Sequence, residues 1–184
     1  QEWGELDQVA ALDWLLERTG HPQALMIGHS AGGQMMGLLP NHQKIARVIS
    51  VAGSTGYFGG MPATRRVIAS LVMKAYLPAT VRLFRYARTS AIGLGEDLPR
   101  RVALQWRDWC NRPGYVLNAI GRTVSRDYHA EFRTPITLVH AADDWIATTA
   151  NVNDLLRLYP NAPKQVIRLE PKSCGYRSIG HIDI

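Results

Sequence analysis

Two cysteines in 184 residues, Cys110 and Cys174, are too few for a disulfide framework and lack the paired spacing of a structural metal site. Disulfide-rich secreted modules and zinc modules are thereby excluded, and the expected setting is reducing and cytoplasmic. Long hydrophobic runs are also lacking. The best candidate, residues 67–73, is closed by Arg66 and Lys74 and falls well short of the ~18 apolar residues of a spanning helix. No transmembrane segment is expected, only transient contact with a membrane surface. The chain starts at Gln1 and has no charged segment leading into an apolar core, so no signal peptide is read and a piece of a longer chain is expected. Repeats and low-complexity tracts are absent as well.

What is present is enough for one globular domain with a real core, at 46% hydrophobic and 20% charged residues. The net charge of +6 is unevenly placed. From Arg65 to Arg126 there are eleven arginines and Lys74 against Glu96, Asp97 and Asp108, a local charge of +9, while the remaining residues carry −3. A basic stretch of this kind is either a solvated helical face or an attraction for anionic substrates or lipid headgroups. Nucleic acid is not expected as a partner, because Tyr76, Phe84, Tyr86, Trp106 and Trp109 recur at helical spacing, as core residues do.

Along the chain, Leu6, Val9, Leu12 and Leu16 mark an amphipathic helix ending at Gly20. Residues 24–27 read as a buried parallel strand, 31–39 as a helix broken by Pro40, and 45–52 as a second buried strand. This alternation is that of an open α/β sheet. From Ser54 to about Arg133 the pattern becomes helical, with segments at 65–76, 80–86 and 98–110, and no further sheet is read there. Alternation resumes with a strand at 136–140, a helix at 149–158 and a strand at 165–169. The expected division is a core of 1–56 and 131–184 with a helical cap inserted at 57–130.

The strongest chemical signal is Gly28-His29-Ser30-Ala31-Gly32-Gly33, lying where a strand turns into the next element. In a Gly-x-Ser-x-Gly elbow, Gly28 and Gly32 around His29 relieve crowding in a strained turn, so that the Ser30 hydroxyl projects from the sheet's carboxyl edge. A serine hydroxyl is a weak nucleophile, so it needs a histidine base and a carboxylate to fix that base's tautomer. The order serine, acid, histidine selects Asp144 after the strand at 136–140, with Asp143 as the alternative, and then His181. Of the other histidines, His21 and His42 read as surface loop residues, His29 points away from the elbow, His129 lies near the end of the insertion and His140 ends a strand. The Ala31 N–H is the candidate oxyanion donor. No metal or organic cofactor is implied.

These residues resemble the α/β-hydrolase superfamily. Gly53-Ser54-Thr55-Gly56-Tyr57, Gly93-Leu94-Gly95-Glu96-Asp97-Leu98-Pro99 with Trp106 and Trp109, Asp143-Asp144-Trp145-Ile146-Ala147 and Ile179-Gly180-His181 extend the likeness over nearly the whole chain. They make it similar to predicted bacterial hydrolases of the serine aminopeptidase and lysophospholipase-like branch. The resemblance implies the C-terminal part of a mostly parallel sheet flanked by helices, with a helical cap over the site. It implies a serine hydrolase that cleaves an ester or related acyl bond, its substrate a small acyl ester whose head group is anionic by the charge of the cap. The alternatives are an acyltransferase with the same triad and an inactive binding module of the same fold. Full members carry about four more strands ahead of the elbow, and a loop among them supplies a second oxyanion donor worth ~3 kcal/mol. Without them this chain is expected to be inactive, or unstable with an exposed sheet edge, even where its parent is an enzyme.

Overall fold

A computed structural model describes residues 1–184. A π-helical turn, Trp3–Asp7, leads into helix α1 (Gln8–Thr19). Gly20 closes α1 at φ 70°, its N–H bonded to the Leu16 carbonyl at 2.9 Å, the left-handed cap that glycine adopts without Cβ strain. Strands β1 (Ala24–His29) and β2 (Ile45–Val51) follow. Next come the long helix α2 (Ala63–Phe84) and a two-residue antiparallel ladder of β3 (Tyr86–Ala87) with β4 (Leu98–Pro99). Helix α3 (Arg100–Cys110), strand β5 (Ile136–Ala141), helix α4 (Thr149–Leu156) and strand β6 (Lys164–Leu169) complete the order. The main sheet runs β1-β2-β5-β6 with every neighbour parallel.

Parallel strands are covered by other elements, and the central pair is fully so on one face: Val48 and Ser50 of β2 and Ile136 and Leu138 of β5 are buried, while Ile49, Val51, Thr137 and Val139 on the other face are half-buried. β1 differs from the buried strand expected of its apolar run. It pairs only with β2, and Leu25 and Ile27 are 70% and 71% exposed. A continuous apolar sequence marks strand identity, not the strand's place in the sheet.

The α-helix expected over 31–39 does not form. Single 3₁₀ turns at Ser30–Gly33 and Met36–Leu38 replace it. Gly32, Gly33 and Gly37 each cost about 1 kcal/mol relative to alanine in a helix. Two of them allow close packing instead: a Cβ on Gly33 would stand 2.5 Å from the Ser50 hydroxyl, and one on Gly37 would stand 2.4 Å from the His129 ring. Met35, Met36, Leu38 and Leu39 are all buried around this compact connection.

Two helices expected on either side of Pro78 are one helix, α2. A π turn at Val72–Tyr76 shifts the hydrogen-bond register just before the proline, which has no N–H to give. α2 is also the one helix long and apolar enough, by length and composition, to cross a membrane, at 22 residues and mean hydropathy 1.4. The run 67–73, read from the sequence as too short to span, lies within this helix. The β3–β4 ladder is likewise sheet within a stretch expected to have none; two residues per strand leave no period to detect. Met73, Leu77, Val81, Ala103 and Trp109 from the helical stretch belong to the same buried cluster as Val48 and Leu138, so one core is continuous through both parts of the chain.

Candidate active site

β1 ends at His29 and the chain turns sharply at Ser30, whose φ of 48° is a left-handed conformation that a non-glycine residue adopts only when its surroundings enforce it. The enforcement is visible in the glycines. A Cβ on Gly28 would lie 2.4 Å from the Gly32 carbonyl oxygen, and one on Gly33 would lie 2.7 Å from the Gly28 carbonyl oxygen. The Ser50 hydroxyl of β2 donates to the Gly33 carbonyl at 3.0 Å and braces the turn from below. At Gly32, by contrast, a Cβ would meet nothing within 4 Å, so crowding demands glycine at Gly28 and Gly33 and not at Gly32. The Gly32-Gly33 doublet was the sequence signal for Gly33; Ser50 had none.

At the end of β5 the adjacent carboxylates Asp143 and Asp144 take separate partners. Asp144 is buried, and its Oδ1 accepts the N–H groups of Ile146 and Ala147 at 2.8 and 2.9 Å. Its Oδ2 lies 2.7 Å from Nδ1 of His181, and Nε2 of His181 lies 2.9 Å from the Ser30 hydroxyl oxygen. A carboxylate only accepts, so Nδ1–H of His181 donates to Asp144, which favours the tautomer in which the Nε2 lone pair faces the Ser30 hydroxyl. Asp143 does not reach His181. Its Oδ2 accepts from the Ser178 hydroxyl at 2.8 Å and the Ile179 N–H at 3.0 Å, and its Oδ1 accepts from the Gly180 N–H at 3.0 Å. The bond from Gly180 is the main reason its carboxyl is held below the usual range, with Ile179 and Ser178 adding to it. Asp143 thus ties down the loop that carries His181, and Gly180 turns that loop at φ 67°.

His29 does not point away as expected. Its Nε2–H donates to the His181 carbonyl at 2.8 Å, and the two rings stand 5.5 Å apart. His42 is not a surface residue either: it is buried against Tyr128 and Phe132. His129 is buried beside Asp127 and Tyr159, and His140 is buried near the end of β5. Burial pushes the pKa of His42, His129 and His140 down, so each is kept neutral. Burial likewise raises the Cys110 thiol to about 12, which leaves it unreactive. No group of three or more His, Cys, Asp or Glu side chains is arranged to hold a metal ion.

Ala31 follows Ser30 in the first turn of a 3₁₀ segment, where backbone N–H groups have no partner within the turn. It also lines a cavity of about 210 Å³ that is mostly apolar, with Met35 on its own side and Leu94, Leu98, Val102 and Trp106 across from it. Trp3, Val102, Gln105 and Trp109 line both this cavity and a groove of about 700 Å³, which also carries Arg101, Arg112 and Arg122 together with the carboxylates of Glu2 and Asp108.

The sequence profile of the alpha/beta hydrolase family matches residues 1–172, a span that includes Ser30 and Asp144 and stops short of His181. No curated protein matches the chain. Among solved structures, a soluble variant of monoglyceride lipase from Saccharomyces cerevisiae, in complex with a substrate analog, superposes with a TM-score of 0.55 at 15% identity, over 90% of this chain and 59% of that one. A monoacylglycerol lipase from Paleococcus ferrophilus gives 0.49 at 14% identity, over 89% of this chain and 64% of that one. The chain therefore spans about three fifths of the length of these structures, and at 15% identity the likeness to the yeast structure is one of fold.

Proposed function

Because the chain belongs to the alpha/beta hydrolase family, we propose that it is a serine hydrolase that cleaves an ester or related acyl bond. The observation that carries this reading is the continuous path of two hydrogen bonds, 2.7 Å from Asp144 to His181 and 2.9 Å from His181 to Ser30. Ser30 transfers its proton to Nε2 of His181 while its oxygen forms a bond to the substrate carbonyl carbon, and the carbonyl electrons move onto oxygen. The Ala31 N–H donates to that oxyanion, an interaction of a kind worth about 3 kcal/mol in the transition state. Collapse of the tetrahedral intermediate breaks the bond to the alcohol, which leaves with the proton from His181. Water, deprotonated by the same Nε2, then releases the acid and restores Ser30. Asp144 stays ionised throughout and stabilises the imidazolium that forms between steps.

The apolar cavity beside Ala31 suits the acyl chain, and the adjoining groove with Arg101, Arg112 and Arg122 suits an anionic head group. The test is turnover of nitrophenyl esters of graded acyl length, with and without a carboxylate on the phenol ring, which stands on the head-group side of the ester. The expected result is Ser30-dependent hydrolysis with a length optimum. Turnover that survives Ser30→Ala in full would overturn the reading.

A further inference from the structure

We propose that the outer face of α2 is a docking surface for anionic phospholipid bilayers. α2 buries Met73, Leu77, Thr80 and Val81 against the core and turns Val67, Ile68 and Leu71 outward. These three are between 53% and 62% exposed, and Leu83 and Phe84 extend the apolar surface at the helix's far end. Positions 67, 68 and 71 fall on one side of a helix, and at 1.5 Å per residue the 22 residues of α2 span about 33 Å. A contiguous apolar stripe of this kind on a folded surface marks a contact.

The charge around the stripe specifies its occupant. Residues 63–89 carry Arg65, Arg66, Lys74, Arg82, Arg85 and Arg88, and no Asp or Glu occurs anywhere from residue 18 to residue 95. All six cations are exposed, and none pairs with a carboxylate. A second copy of the chain would set one such cationic face against another, which is repulsive. A polynucleotide would satisfy the cations and leave the apolar stripe in water. A bilayer with anionic headgroups satisfies both, because the stripe enters the interface while Lys74 and Arg82 reach the lipid phosphates. α2 lies on the bilayer and does not span it, since its inner face is part of the core and Lys74 and Arg82 interrupt its length. Arg65 stacks over Trp145 at 5.1 Å, the residue after Asp144, so docking would bring the loop carrying Asp144 to the lipid surface.

The experiment is co-sedimentation of the full chain with vesicles of phosphatidylcholine alone and of phosphatidylcholine mixed with phosphatidylserine, at low and high salt. This readout does not depend on any hydrolytic activity. The expected result is binding to the mixed vesicles that weakens with salt. Removing both charges in K74Q/R82Q should lower partitioning about 30-fold. Leu71→Ser should lower it about tenfold with unchanged thermal stability, since the side chain is solvent-facing in the free chain. Equal binding to both vesicle types, no binding to either, or a dimer in sedimentation velocity that Leu71→Ser dissolves would each overturn the proposal.

Discussion

The carboxyl edge of the sheet and the outer surface of α2 treat charge in opposite ways. At the sheet edge, Asp144 is buried with its oxygens committed to Ile146, Ala147 and His181, and Asp143 accepts three donors from the loop at 178–180. On α2 and just past its end, six exposed cations have no carboxylate partner. The first arrangement fixes geometry, because a buried carboxylate must be satisfied in direction as well as in number. The second leaves geometry free and stores an attraction for something outside the molecule. Substitutions at the edge should therefore be costly and position-specific, whereas those on α2 should be mild to the fold.

The largest effect should come from the relay. Ser30→Ala and His181→Ala should each lower kcat by at least ~10³-fold, and the double variant should be no worse than either single one, since residues that act as a unit are not additive. Steady-state kinetics on a nitrophenyl ester checks this. Next, the two carboxylates should separate. Asp144→Asn should cost about 10³ to 10⁴ in kcat by favouring the wrong His181 tautomer. Asp143→Asn should cost only about tenfold, because it loosens the loop at 178–180 without touching the imidazole. Equal losses at the two positions would erase the distinction between the ligand of His181 and the holder of its loop.

A third contrast is in pH. His42, His129 and His140 have folded pKa values below the ordinary 6.5, with burial as the first cause. The unfolded chain binds their protons first, so the stability they contribute is complete above about pH 6.5 and is lost as the pH falls through their lowered folded values. The thermal midpoint should fall on acidification through that window. His42→Phe should make the fall shallower, whereas Arg82→Gln on α2 should leave its slope alone. The smallest effect is expected on α2 itself: Ile68→Ser and Leu71→Ser should change stability by no more than about 0.5 kcal/mol in denaturant unfolding and leave turnover of a soluble ester unchanged.

The same contrast governs how much was legible in the sequence. The parallel sheet and its order of elements were, because apolar runs bounded by glycine and proline are a local signal. Ser30, Asp144 and His181 could be picked out by motif and order, and the structure sets His181 within hydrogen-bond distance of each of the other two. The exposure of Leu25 and Ile27 was not legible in β1's own six residues, whose apolar run reads as buried, although the resemblance implies an open sheet edge. The 3₁₀ connection after Ser30 was missed because apolar residues at 35, 36, 38 and 39 look helical, while the close approaches at Gly33 and Gly37 involve Ser50 and His129, distant in sequence. The placing of Asp143 on the loop and of His29 on the His181 carbonyl belongs to the same class, a contact across more than thirty residues. His42 was taken for a loop residue because its partners Tyr128 and Phe132 lie more than eighty residues away.

The most direct test of the central claim is intact-mass analysis after treatment with a fluorophosphonate, followed by peptide mapping, on the chain and on Ser30→Ala and Asp144→Asn, each first shown to be folded. The account predicts a single adduct on Ser30, none on Ser30→Ala and much slower formation on Asp144→Asn. A folded chain that takes up no adduct, or one labelled equally after Ser30→Ala, would contradict it.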